Sequence, residues 1–151
     1  MNRIAEGARV HPTCILGQEV ILARDAWLGA FVVVGHRVSI GARSEIREGV
    51  CLGNDVHIGD DCVLHSGCVL LDGVRVGDRV TIGANAVVGS DGYGFVEDGG
   101  VHYKIPQVGG VIIGAGVTIG AGACIDRGTT TDTVIGDGSP IGPLAQIAPN
   151  V

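Results

Sequence analysis

The sequence predicts an all-β chain wound as a parallel β-helix, and three observations carry that expectation. First, an aliphatic side chain recurs at every sixth position, from Ile4 through Val10, Leu16, Leu22, Leu28, Val34, Ile40, Ile46, Leu52, Ile58, Leu64, Leu70, Val76 and Ile82 to Val88, without exception. Such a period fits neither the 3.6 residues of a helix nor the alternation of a hairpin meander. Second, glycine follows the aliphatic residue at Gly17, Gly29, Gly35, Gly41, Gly53, Gly59, Gly77, Gly83 and Gly89, and the next two places favour Asp, Asn, Ala, Gly or Arg. Those residues suit a corner. Third, 46% of the 151 residues are hydrophobic but only 3% are aromatic, so the interior must be a thin stack of aliphatic and small side chains.

Each unit therefore reads as a short strand with two inward side chains, followed by a turn. The second inward place, four residues after the aliphatic one, holds Ala8, Cys14, Val20, Ala26, Val32, Val38, Ser44, Val50, Val56, Cys62, Cys68, Val74, Val80 and Ala86. Cys14, Cys62 and Cys68 are thus core filler, whereas Cys51 and Cys124 lie one place further along. The chain divides into regular coils over 4–92, a loop excursion over 93–110 where the period stops, and further coils over 111–151. The period resumes at Ile113, Ile119 and Ile125, slips again from Arg127 to Val134, and closes with Ile135, Ile141 and Ile147. Residues 1–151 are expected to form a single β-helix domain with an uncapped end. A long interruption in a regular solenoid is more often functional than decorative.

Composition narrows the function classes. Ten basic residues against sixteen acidic ones give a formal charge of −6, and the basic residues are scattered singly, which disfavours nucleic-acid binding. No apolar run reaches the roughly 18 residues of a membrane span. The first residues show no signal-peptide pattern, so the expected location is cytoplasmic. Five cysteines without a C-x-x-C pair do not make a disulfide framework. A zinc site would need histidines from neighbouring coils, but His11 and His65 stand three coils apart, roughly 14 Å, and His36, His57 and His102 occupy other places. No metal and no cofactor are expected.

More specific strings follow the generic repeat: Ser90-Asp91-Gly92-Tyr93-Gly94-Phe95, Lys104-Ile105-Pro106-Gln107 with Gly109-Gly110, Ile125-Asp126-Arg127-Gly128, Asp132-Thr133-Val134-Ile135-Gly136, and Gln146-Ile147-Ala148 with Asn150-Val151. Taken in this order, the chain resembles the UDP-3-O-acylglucosamine N-acyltransferases of lipid A synthesis, within the hexapeptide-repeat acyltransferases. The resemblance implies a left-handed helix of triangular coils, three units to a coil. It further implies a cytoplasmic homotrimer with sites between subunits, which moves a 3-hydroxyacyl group from acyl carrier protein to the 2-amine of a UDP-linked, 3-O-acylated glucosamine.

That chemistry needs a base for the amine proton, donors for the oxyanion and a groove for the acyl chain. In the resembling family the base is the histidine of a Q-I-A-H-N string, preceded by orienting Asp and Asn residues in an I-D-N string. Here the base position is Pro149 and the orienting positions are Gly142 and Pro143. Proline offers neither an ionisable group nor a backbone donor, so impaired or absent activity is expected. Tyr93 and Phe95 are candidates for apolar contact with substrate, Lys104 and Gln107 for polar contact with sugar or phosphate, and Gln146 and Asn150 match the family string directly. Two alternatives stand beside this reading: a non-catalytic trimeric β-helix scaffold, and an acyltransferase for another sugar nucleotide.

Overall fold

A computed structural model describes residues 1–151. Its strands, most of them two residues long, form three parallel sheets of seven strands each, plus one separate two-stranded sheet. The sheets are the walls of a column. Each strand pairs with the equivalent strand one coil above and below, so that His57 lies between Ser39 and Arg75 while Ile58 lies between Ile40 and Val76. At about 4.8 Å per strand the column stands roughly 30 Å tall. No helix of the structure is long and apolar enough to cross a membrane.

The sixfold period closes for a reason visible at the corners. The third residue after the aliphatic one adopts a left-handed backbone at Glu19, Asp25, Phe31, Arg37, Arg43, Asp55, Asp61, Arg79 and Asn85, with glycine at Gly7, Gly49, Gly67 and Gly73. One left-handed residue per unit turns the chain onto the next wall. The glycine directly after the aliphatic residue meets a different demand. A Cβ on Gly35 would lie 2.6 Å from Asn54 Oδ1 and 2.7 Å from the Gly53 carbonyl carbon, because consecutive corners stack backbone on backbone.

Corner amides find their partners in side chains one coil away. His36 N donates to Asn54 Oδ1 at 2.9 Å and Asn54 N to Asp72 Oδ1 at 2.8 Å, while Ala42 N donates to Asp60 Oδ1 and Asp60 N to Asp78 Oδ1. Where the left-handed corner residues carry charge, opposite signs meet: Arg37 makes a two-point contact with Asp55 and Arg43 with Asp61. His36 and His57 serve the column as well, His36 Nδ1 accepting from Gln18 N and His57 Nδ1 bonding Ser39 Oγ at 2.7 Å. Inside, 30 buried apolar residues make one continuous core, including Leu28, Ile46, Leu64 and Ile82 at 0% exposure. Cys62 and Cys68 are buried within it and Cys14 packs against its lower end. Ser44, the polar member of the inward row, donates to Gly59 O and accepts from Cys62 N, so its burial leaves nothing unpaired.

The interruption differs from the loop expected over 93–110. Phe95–Asp98 and Val101–Lys104 form an antiparallel hairpin, all eight residues exposed. Gly99 and Gly100, both at positive φ, supply the tight turn that such a hairpin requires. The wall runs on beneath this arm without a break, since Val76 pairs with Ile113 and Ile113 with Ile135. At the far end of the second sheet, Pro140–Ile141 is the edge strand, a place where proline's missing N–H costs the ladder nothing.

Candidate functional site

The third wall gathers the specific strings into one place. Val87–Ser90, Cys124–Asp126 and Gln146–Ile147 are adjacent strands there, which stacks Ser90, Asp126 and Gln146 at one corner although they are distant in sequence. Asp126 is 9% exposed. Its Oδ1 accepts from Ser90 Oγ at 3.1 Å and its Oδ2 from Gln146 Nε2 at 2.8 Å. Beside this chain the root of the arm closes over the last corner: a Cβ on Gly92 would collide with the Pro149 ring. Only glycine at 92 lets the arm leave the wall so close to residue 149.

Two further glycines allow the return of the arm to dock. Gly109 N donates to Gly128 O at 2.9 Å, Gly128 N to Gly110 O at 3.1 Å and Val108 N to Thr129 O at 2.9 Å, so residues 108–110 lie backbone to backbone against 128–129. Arg127 clamps the pair, its Nε donating to Gly109 O at 2.9 Å and its Nη2 to Asp72 O at 2.7 Å. The hairpin itself is held more lightly. Lys104 Nζ pairs with Asp91 Oδ2 at 2.8 Å, and Tyr93 meets Phe95 edge to face with ring centroids 5.0 Å apart.

The structure therefore brings Gln107, Gln146, Asn150 and Pro149 together with the arm root, and sets Tyr93, Phe95 and Lys104 on the arm above. Gln107 spends both ends of its amide internally, Nε2 donating to Ile105 O and Oε1 accepting from Thr129 Oγ1. Asn150 uses Oδ1 for Thr129 N and its backbone N for Thr133 Oγ1, which leaves its Nδ2 as the free donor. Tyr93 is 94% exposed and, with Phe95 and His102, lines an open aromatic hollow on the arm. Gly142 and Pro143 belong to the preceding corner, stacked above Gly120, and do not join this cluster. Lys104, expected as a phosphate contact, already has Asp91 as its counter-charge.

Sequence reasoning missed the centre of the arrangement. Ser90, Asp126, Arg127, Thr129 and Thr133 all sit in or beside the quoted strings, yet their roles depend on contacts made across one or more coils. A carboxylate directly after the inward aliphatic residue, where glycine is the rule, was the signal available in Ile125-Asp126. Chemically, the corner offers acceptors from Asp126, Ser90 and Gln146 and a donor from Asn150. At position 149, proline provides nothing that could take up a proton.

With this geometry in place, comparison with known proteins is informative. The bacterial transferase hexapeptide (six repeats) profile matches residues 19–54 and 55–90. UDP-3-O-acylglucosamine N-acyltransferase 1 of Legionella pneumophila is 47% identical over 150 residues, 99% of this chain and 42% of that protein. The corresponding enzyme of Coxiella burnetii is 48% identical over 143 residues, 94% of this chain and again 42% of the relative. The chain thus spans about two fifths of the length of these relatives. Among solved structures, an Arabidopsis UDP-N-acetylglucosamine acyltransferase superposes with a TM-score of 0.66 at 25% identity, covering 97% of this chain and 49% of the other. A hexapeptide transferase family protein from Anaplasma phagocytophilum shares the fold alone, with a TM-score of 0.62 at 13% identity, covering 93% of this chain and 75% of that one.

Proposed function

From a chain that carries bacterial transferase hexapeptide repeats and has UDP-3-O-acylglucosamine N-acyltransferases as homologues along nearly its whole length, we propose an acyltransferase of lipid A type whose proton-accepting position has been lost. The reaction moves a 3-hydroxyacyl group from acyl carrier protein to the 2-amine of a UDP-linked, 3-O-acylated glucosamine. The amine nitrogen bonds to the thioester carbonyl carbon, the carbon–sulfur bond breaks, and the carrier thiol leaves. The nitrogen must shed a proton on the way. The observation that carries the reading is the corner itself: the arm root lies against residue 149, flanked by Gln146 and Asn150, while residue 149 is a proline. Gln146 and Asn150 remain at this corner to make polar contacts, while the base position and the two orienting positions are held by Pro149, Gly142 and Pro143.

Copies of the chain assemble as a cytoplasmic homotrimer in this reading. The third wall supports it, because its outward row runs Ile15, Val33, Cys51, Val69, Val87 and Cys124, apolar from coil to coil. The outward rows of the other two walls are mixed, with Arg3, His57 and Arg75 beside Ile21, Ile112 and Val134 on one, and Arg9, Glu45 and Thr81 beside Trp27 and Val63 on the other. Pro149 also favours a second reading, a trimeric scaffold that binds a sugar nucleotide without turning it over.

Acyl transfer from a hydroxyacyl carrier protein to the UDP-glucosamine acceptor tests both. The chain as it stands is expected to turn over at a background rate and Pro149→His to raise it by about 100-fold or more, the usual contribution of a placed general base. Ordinary turnover with Pro149 intact would overturn the assignment of the base. Acceptor binding with no turnover in either form would favour the scaffold.

A further inference from the structure

We propose that Asp126 sorts acceptors at this corner, selecting a primary amine over a hydroxyl. The inference deepens the acyltransferase reading and rests on it. An ionised carboxylate can only accept hydrogen bonds. Both of its neighbours must therefore present hydrogens to it: Ser90 through its hydroxyl at 3.1 Å and Gln146 through its amide nitrogen at 2.8 Å. Their polarity is then fixed. Gln146 is left with Oε1 as its free end, Ser90 with the lone pairs of Oγ, and Asp126 with the acceptor positions that two donors do not fill.

Charge leads to the same conclusion. Asp126 is almost fully buried yet takes part in none of the ion pairs of the chain. The adjacent Arg127 directs its guanidinium to the carbonyls of Gly109 and Asp72 instead. Burying a carboxylate without a cation is unfavourable, and an asparagine of the same shape would have answered the structural need alone. An amine brings up to three N–H donors and, when protonated, the missing positive charge. A hydroxyl brings one hydrogen and no charge, so acceptors at the corner stay unfilled. Charge-assisted hydrogen bonds are the stronger kind, which makes the carboxylate the source of the discrimination and Gln146 and Ser90 its extensions.

Calorimetric titration of the full chain with 3-O-acylated UDP-glucosamine and with the matching 3-O-acylated UDP-glucose provides the test. The amine-bearing sugar is expected to bind at least tenfold more tightly, with the preference falling below threefold in Asp126→Asn. An undiminished preference in that variant overturns the inference and leaves the acyltransferase reading intact. Failure of the unaltered chain to bind either sugar overturns the reading and the inference with it. A measurement without sugar guards against mere misfolding. In nuclear magnetic resonance the Gln146 side-chain amide should show the shift and slowed exchange of a hydrogen bond to a carboxylate, retained in Ser90→Ala and lost in Asp126→Ala, which removes both acceptor oxygens. A Gln146 signal indifferent to Asp126→Ala defeats the inference whatever the titrations give.

Discussion

Buried thiols in the aliphatic stack behave unlike ordinary cysteines. Burial pushes the Cys68 thiol up to about 12 and raises that of Cys62 as well, so almost no thiolate exists at neutral pH, and the thiolate is the reactive form. Maleimide at neutral pH should leave both unmodified until denaturant is added, as read by mass spectrometry. Glycines separate two physical causes in the same way. Gly73 holds a φ of +77°, and the space where a Cβ would stand is open, with nothing within 4 Å; Gly73→Ala therefore costs only the left-handed backbone preference, about 1 kcal/mol. Gly35→Ala pushes a methyl into the backbone of Gly53 and should lower the unfolding midpoint more. At the charged corners, the Arg37 hydrogen bond holds the Asp55 carboxyl below its usual range, and Arg43 does the same for Asp61. A carboxyl lowered in the folded state stabilises above its unfolded pKa and loses that contribution as the pH falls through its folded one. Arg37→Gln should thus reduce stability at neutral pH slightly and leave it unchanged in strong acid, and the small size follows from the exposure of both partners.

The arm is an element whose stability comes from its roots. A two-stranded hairpin alone is marginal in water, and here all eight strand residues are exposed, so its order depends on Arg127, on the pairing of 108–110 with 128–129 and on the Lys104–Asp91 contact. Arg127→Gln removes the bonds to Gly109 and Asp72. Faster amide exchange is expected over residues 95–108, while Leu64 and Ile82 in the column keep their protection; equal loosening of both would show the arm and wall to be one cooperative unit. The hairpin was legible in Gly99-Gly100 set between two short runs, but a search for sixes passes over a turn of two. The strands and their inward side chains were legible, because each announces itself locally, whereas their arrangement as three walls came from the family resemblance. The Ser90, Asp126 and Gln146 chain was not legible, since the residues become neighbours only once the interruptions at 93–110 and 127–134 are looped out and three strands fall into register. The string singled out position 149 as an expectation, whereas the closeness of Gly92 to Pro149 was not visible in it.

At the scale of the whole molecule, each coil rests only on its neighbours, so stability is close to a sum of similar interfaces, and what distinguishes one wall from another is its outer surface. The third wall presents Val33 and Cys51 as exposed neighbours in an apolar row, and in the trimer proposed above that row lies against a second copy. Val33→Glu separates assembly from folding. The side chain points outward from a strand whose inward partner, Val34, is 2% exposed, so the core is untouched and the folded column should persist with its circular dichroism unchanged. A buried carboxylate at an interface has no cation waiting for it and disfavours association strongly. Light scattering should then report three times the chain mass for the unaltered protein and one for Val33→Glu. The thiol of Cys51, shielded in the assembly, should become open to maleimide in the variant while Cys62 and Cys68 stay closed. A single-chain mass for the unaltered protein, with Cys51 freely modified, would overturn the proposed trimer and the role given to the third wall.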